Sequence, residues 1–166
     1  MSYLLRGGLP LRPTTASWAS PSLSCCVWMQ RIRSNDASSE EGGERRLRVL
    51  VVDDSEDTRN MYSEFFMDAG LCVASAADGE DALGQLSAVK PDLVVMDLAM
   101  PLMNGWDATR KIKSQPHTKG IFVVVLTGHV TPENLRRAEQ AGADAVLTKP
   151  CSPADLCALV RTILDR

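Results

Sequence analysis

The sequence predicts an α/β fold: a (βα)5 unit on a five-stranded, doubly wound parallel sheet with helices on both faces. Two observations carry this. From Leu47 onward, five short apolar runs alternate with amphipathic stretches of helical period. The runs are apolar throughout instead of alternating with polar residues, which is the pattern of strands buried on both faces. Strands and helices that alternate through right-handed crossovers close as a doubly wound sheet.

Arg48–Val52 is the first predicted strand. Ser55 then caps a helix whose apolar positions Met61, Tyr62, Phe65, Phe66 and Ala69 fall at helical spacing, and Gly70 ends it. Leu71–Ala76 is the second strand. The second helix opens near Asp78, buries Ala82, Leu83, Leu86 and Val89, and stops before Pro91, which disfavours helical backbone in the residue preceding it. Leu93–Met96 is the third strand. The third helix, Asn104–Lys113, has Trp106, Ala108, Thr109 and Ile112 on its inner face. Ile121–Leu126, the most apolar run, is the fourth strand. Thr131-Pro132-Glu133 opens the fourth helix with proline at its first position, where a missing N–H costs nothing. Beyond Leu135 and Ala138 that helix has little apolar surface before Gly142, so it should lie exposed at an edge. Ala145–Leu147 is a short fifth strand. Ser152-Pro153-Ala154-Asp155 opens the last helix, whose stripe is Leu156, Leu159, Val160, Ile163 and Leu164.

Residues 1–46 read differently, as a disordered N-terminal extension and linker ahead of one folded domain at 47–166. Residues 1–33 are rich in Arg, Ser and Pro and contain no acid, loosely like an organelle transit peptide; the plainer reading is an extension, with Met29 an alternative start. Residues 34–44 are polar and read as a linker. Charge divides the same way: six Arg against four acids up to residue 46, then 12 basic against 17 acidic residues. An acidic body without a basic stripe argues against direct nucleic-acid binding. No apolar stretch reaches the length of a membrane span. Cys25-Cys26 lack the preceding apolar segment that a lipid-attachment reading needs. The five cysteines form no C-x-x-C pair, and Cys72 and Cys157 fall within apolar patterns as small core residues, which fits a reducing cytoplasm.

Strand C-termini in a parallel α/β sheet share one edge, where ligands bind. Asp53 and Asp54 follow the first strand, Asp97 the third, Thr127 the fourth and Lys149-Pro150 the fifth. Three acids, a hydroxyl and an amine should therefore meet there. Crowded carboxylates repel unless a cation compensates them. Oxygen-only ligands and a phosphate substrate favour Mg2+, with Asp54 and Asp97 as direct ligands, Asp53 acting through a water, and the Ala99 carbonyl as a further oxygen. Asp97 is then the candidate nucleophile toward phosphorus. The Lys149 ammonium and the Thr127 hydroxyl are placed to take phosphoryl oxygens. Pro150 fixes the loop, and a cis bond suits it.

On these residues the segment 47–165 resembles the receiver domain of two-component response regulators. The motif is Asp53-Asp54, then Asp97 with Met100-Pro101 and Gly105, Thr127, and Lys149-Pro150, with separations of 43, 30 and 22 residues between Asp54, Asp97, Thr127 and Lys149. The resemblance implies a flavodoxin-like strand order 2-1-3-4-5 and an aspartyl phosphate on Asp97, donated by a histidine kinase or phosphotransfer protein. It implies a phosphorylation-dependent switch that is not a turnover enzyme and that acts on an unidentified output protein. It also implies donor docking near the first helix and the loop after Lys149, and output through the fourth helix, fifth strand and fifth helix. Since the sequence ends with the fifth helix, a single-domain regulator is expected. Departures are Val146, where receivers often carry an aromatic switch residue, and His129, which stands two positions after Thr127.

Two rival readings remain. A pseudo-receiver would use the fold as a phosphorylation-independent interaction module, against which the complete acid set argues. A phosphatase of the haloacid dehalogenase type would need Asp-x-Asp after the first strand, and Asp53-Asp54-Ser55 lacks that spacing.

Overall fold

The computed structural model describes residues 4–5, 46–128 and 131–164. Met29, Cys25, Cys26, the linker at 34–44, His129 and the side chain of Leu164 lie outside the described residues. The strands are β1 (Arg48–Val52), β2 (Cys72–Ala76), β3 (Leu93–Asp97), β4 (Phe122–Thr127) and β5 (Ala145–Thr148). The helices are α1 (Glu56–Asp68), α2 (Gly79–Val89), α3 (Gly105–Ser114), α4 (Pro132–Ala141) and α5 (Pro153–Leu164). The strands run parallel in the order β2-β1-β3-β4-β5. A short N-terminal strand, Leu4–Leu5, pairs antiparallel with the outer edge of β5.

Backbone alternation sorts the strand residues into two cores. Val49, Val51, Val95, Val124 and Leu126 turn to one face, under Tyr62 and Phe66 of α1 and Leu156 and Val160 of α5. Leu50, Val52, Met96, Val123 and Val125 turn to the other, under Ala82 and Leu86 of α2, Ala108 and Ile112 of α3, and Ala138 of α4. Because both faces are covered, the strands have no polar side, which is why the runs are continuously apolar.

Three helices open where the sequence places their starts, and Asn104, which the sequence places inside the third helix, caps it instead. Ser55 accepts from the Thr58 N–H, Asp78 from those of Glu80 and Asp81, Asn104 from that of Asp107, and Thr131 from that of Asn134. Lys90, in the left-handed region at φ 47°, ends α2 ahead of Pro91.

The inner face of α1 is narrower than the sequence implies. Met61 and Phe65, one turn apart, are 44% and 37% exposed, while Tyr62 and Phe66 are buried. α1 meets the sheet along one ridge only, and its apolar residues span more arc than that ridge can cover. The sequence reading also assigned no structure to residues 1–46, and Leu4–Leu5 departs from it. Two residues are too few to carry a periodicity signal; their partner strand sets the register.

Candidate functional site

The C-terminal ends of β1, β3, β4 and β5 bring the expected residues to one edge. Asp53 follows β1, Asp97 ends β3 opposite Leu126 of β4, and Thr127 ends β4 opposite Thr148 of β5. Lys149 comes next, and its N–H donates to the Thr127 carbonyl at 2.7 Å, tying the ends of β4 and β5 together. The Lys149-Pro150 bond is cis.

Oxygens of Asp53, Asp54 and Asp97, one from each carboxylate, lie within 4.8 Å of one another. Asp53 and Asp97 are only 2% and 3% exposed, whereas Asp54 faces solvent. Lys149 compensates the buried pair. Its Nζ is 2.7 Å from Asp53 Oδ2 and 2.9 Å from Asp97 Oδ1. Burial alone would lower the Lys149 pKa, but hydrogen bonds to Asp53 and Asp97 outweigh it and hold the ammonium above the ordinary lysine value. One ammonium against three carboxylates leaves the cluster negative. An oxygen-only donor set of that sign suits a hard divalent cation and does not suit a softer metal.

The turn that carries the first two acids is held on both sides. Asp53 Oδ1 accepts from the Ser55 N–H at 3.0 Å. Arg59, one turn into α1, donates through Nη1 to the carbonyls of Asp53 (2.8 Å) and Asp54 (3.1 Å). Tyr62 donates its hydroxyl to the Cys151 carbonyl at 3.0 Å, anchoring the loop after Lys149-Pro150 to α1. Burial pushes the Tyr62 hydroxyl and the Cys151 thiol above their ordinary values, so both remain protonated near neutral pH.

The loop after Asp97 is tightly constrained. Gly105 donates its N–H to the Leu98 carbonyl, and a Cβ there would sit 2.1 Å from the Asp97 carbonyl oxygen. Leu102 adopts φ 63° and is 85% exposed at the rim. Ala99 lies exposed on this loop, Gly128 has open space beside it, and Val146 is buried within β5.

The three acids, Thr127 and Lys149 named from the sequence stand together at this edge, and Arg59 and the Tyr62 hydroxyl join them without having been named from it. Arg59 had a signal. A cation in the first turn of a helix opposes the macrodipole, so it needs another partner. Tyr62 had none, because its partner is a backbone carbonyl 89 residues away.

Residues 49–161 match the family described as the response regulator receiver domain. The gliding motility regulatory protein of Myxococcus xanthus is 39% identical over 105 residues, covering 63% of this chain and 14% of that protein. The DNA-binding response regulator MtrA of Mycobacterium tuberculosis (strain H37Rv) is 35% identical over 121 residues, covering 73% of this chain and 52% of that protein. The chain thus spans about half of the one relative and a seventh of the other. Among solved structures, the chemotaxis protein CheY4 of Vibrio cholerae superposes with a TM-score of 0.66 at 32% identity, over 73% of this chain and 98% of that one.

Proposed function

Because the chain belongs to the response regulator receiver domain family, we propose that it is a phosphorylation-dependent signalling switch that accepts a phosphoryl group on Asp97. The donor is a histidine kinase or a histidine phosphotransfer protein, and Mg2+ is the metal. The observation that carries this reading is the Lys149 ammonium bridging Asp53 and Asp97, which sets a cation 2.9 Å from the candidate nucleophile.

The chain's own residues divide the work. An Asp97 carboxylate oxygen attacks phosphorus; a new O–P bond forms as the donor's P–N bond breaks. The electron pair goes to the imidazole, which takes a proton from solvent. Lys149 and the Thr127 hydroxyl receive phosphoryl oxygens, so the charge passing to Asp97 is met by groups already in place. Asp54 and Asp97 would hold Mg2+ directly, with Asp53 acting through a water and Ala99 offering its carbonyl; the bound ion supplies charge neutralisation at the phosphoryl oxygens. Arg59 and the Ser55 N–H keep the Asp53-Asp54 turn in position.

On this reading the protein turns over no external substrate and works in the cytoplasm. It takes phosphate from a donor docked near α1 and the loop after Lys149. It signals to an output protein through α4, β5 and α5.

Intact mass of the purified chain after incubation with acetyl phosphate tests the reading. One added phosphoryl group is expected with Mg2+, and none with EDTA or in Asp97→Asn. An adduct retained by the folded Asp97→Asn protein, or no adduct on the unaltered chain, refutes it.

A further inference from the structure

The outer edge of β5 is a strand-accepting surface. The two edge strands of the parallel sheet differ in how they are covered. The first four residues of β2, Cys72 to Ser75, are half-buried or exposed, whereas Ala145, Val146 and Leu147 of β5 are buried although β5 has only one parallel neighbour. β5 also lacks the usual protection of an edge. Its residues, Ala-Val-Leu-Thr, include no charge and no proline, and such an edge invites another strand. The strand it receives is Leu4–Leu5, with Leu4 opposite Val146 and Leu5 opposite Ala145.

The hydrogen-bonding pattern follows from alternation. Lys149 donates its N–H to the Thr127 carbonyl of β4, so by alternation the backbone groups of Leu147 and Ala145 also turn toward β4. Those of Val146 therefore turn the other way, to the free edge, and Leu4–Val146 is the pair that exchanges backbone hydrogen bonds. Leu5–Ala145 is the pair between hydrogen-bonded positions. Reach is no obstacle. Residues 6–47 connect this strand to β1, and at about 3.3 Å per extended residue they can cross the domain several times.

We propose that this edge is a docking site for an extended apolar strand and that its occupant is the chain's own N-terminal segment at Leu4–Leu5. A ladder of two residues is short, so the cover is exchangeable, and a partner presenting a longer extended segment can take its place by strand addition. The site is on the strand that leads to Lys149, but the inference does not depend on phosphorylation.

Amide hydrogen exchange of the full chain, read residue by residue, tests it against a full-length Leu4→Pro variant. Proline removes the Leu4 N–H and the ladder bond it makes. The Val146 amide should exchange at least about tenfold faster in the variant, while the Val95 and Val124 amides in the central strands stay protected and report an intact fold. Equal exchange at Val146 in the two proteins overturns the proposal. Protection at Val146 that grows with protein concentration also overturns it, because the strand would then come from a second copy.

Discussion

Lys149 carries the sharpest consequences at the scale of single residues. Its ammonium is the one cation bonded to the two buried carboxylates among the described residues. Replacing it by methionine without divalent metal should cost about 1–3 kcal/mol, because Asp53 and Asp97 lose their partner; added Mg2+ should restore part of that loss. Thermal denaturation with and without Mg2+ checks both. The pH dependence follows from the raised folded pKa. The ammonium's contribution is complete below the unfolded lysine value of about 10.4 and is lost as pH climbs through the higher folded one. The stability difference between the unaltered chain and Lys149→Met should stay level from pH 6 to about 10 and narrow only above that. A difference that narrows between pH 6 and 8 would assign the effect to another group. Arg59→Ala should weaken Mg2+ affinity by about three- to tenfold, the net worth of one ordinary hydrogen bond of about 1 kcal/mol. A Mg2+ titration followed by isothermal calorimetry reads it, and circular dichroism confirms that α1 survives.

Elements meet the site through a few backbone contacts. α3 approaches β3 closely enough that a Cβ at Gly105 would overlap the Asp97 carbonyl oxygen. Gly105→Ala must push helix and strand apart, and it should cost about 1–3 kcal/mol in denaturant unfolding while slowing labelling by acetyl phosphate. Ser55→Ala has a different signature. It removes the acceptor for the Thr58 N–H at the start of α1 and should cost about 1 kcal/mol. The Ser55 N–H that holds Asp53 remains in that variant, so labelling should change little. Similar labelling defects in the two variants would mean that α1 and α3 reach the site through overall stability alone.

At the scale of the whole molecule, the sheet is the frame and the two cores fix it. Phe66, fully buried between α1 and the sheet, should cost about 3–5 kcal/mol on replacement by alanine. Equilibrium unfolding in urea measures it, and a cost below about 1 kcal/mol would mean that α1 packs more loosely than the full burial of Phe66 implies. Sequence alone was enough for the alternation of strands and helices, for the helix openings at Ser55, Asp78 and Thr131, and for which residues stand at strand ends. Those features are local: a strand buried on both faces must be apolar throughout, and a cap must offer an oxygen to the first turn. The chain also determined which acids, hydroxyl and amine stand at the C-terminal edge of the sheet, because parallel strands all open their C-termini on one side. Only the tertiary structure decided that Lys149 bonds to Asp53 and Asp97 and not to Asp54, since that depends on how far β5 is displaced from β1. Only it decided that Arg59 clamps two carbonyls, that Tyr62 reaches Cys151, that Met61 and Phe65 face outward, and that Leu4–Leu5 completes the edge of β5. These contacts join residues through space, and their geometry comes from packing that no short stretch of chain encodes.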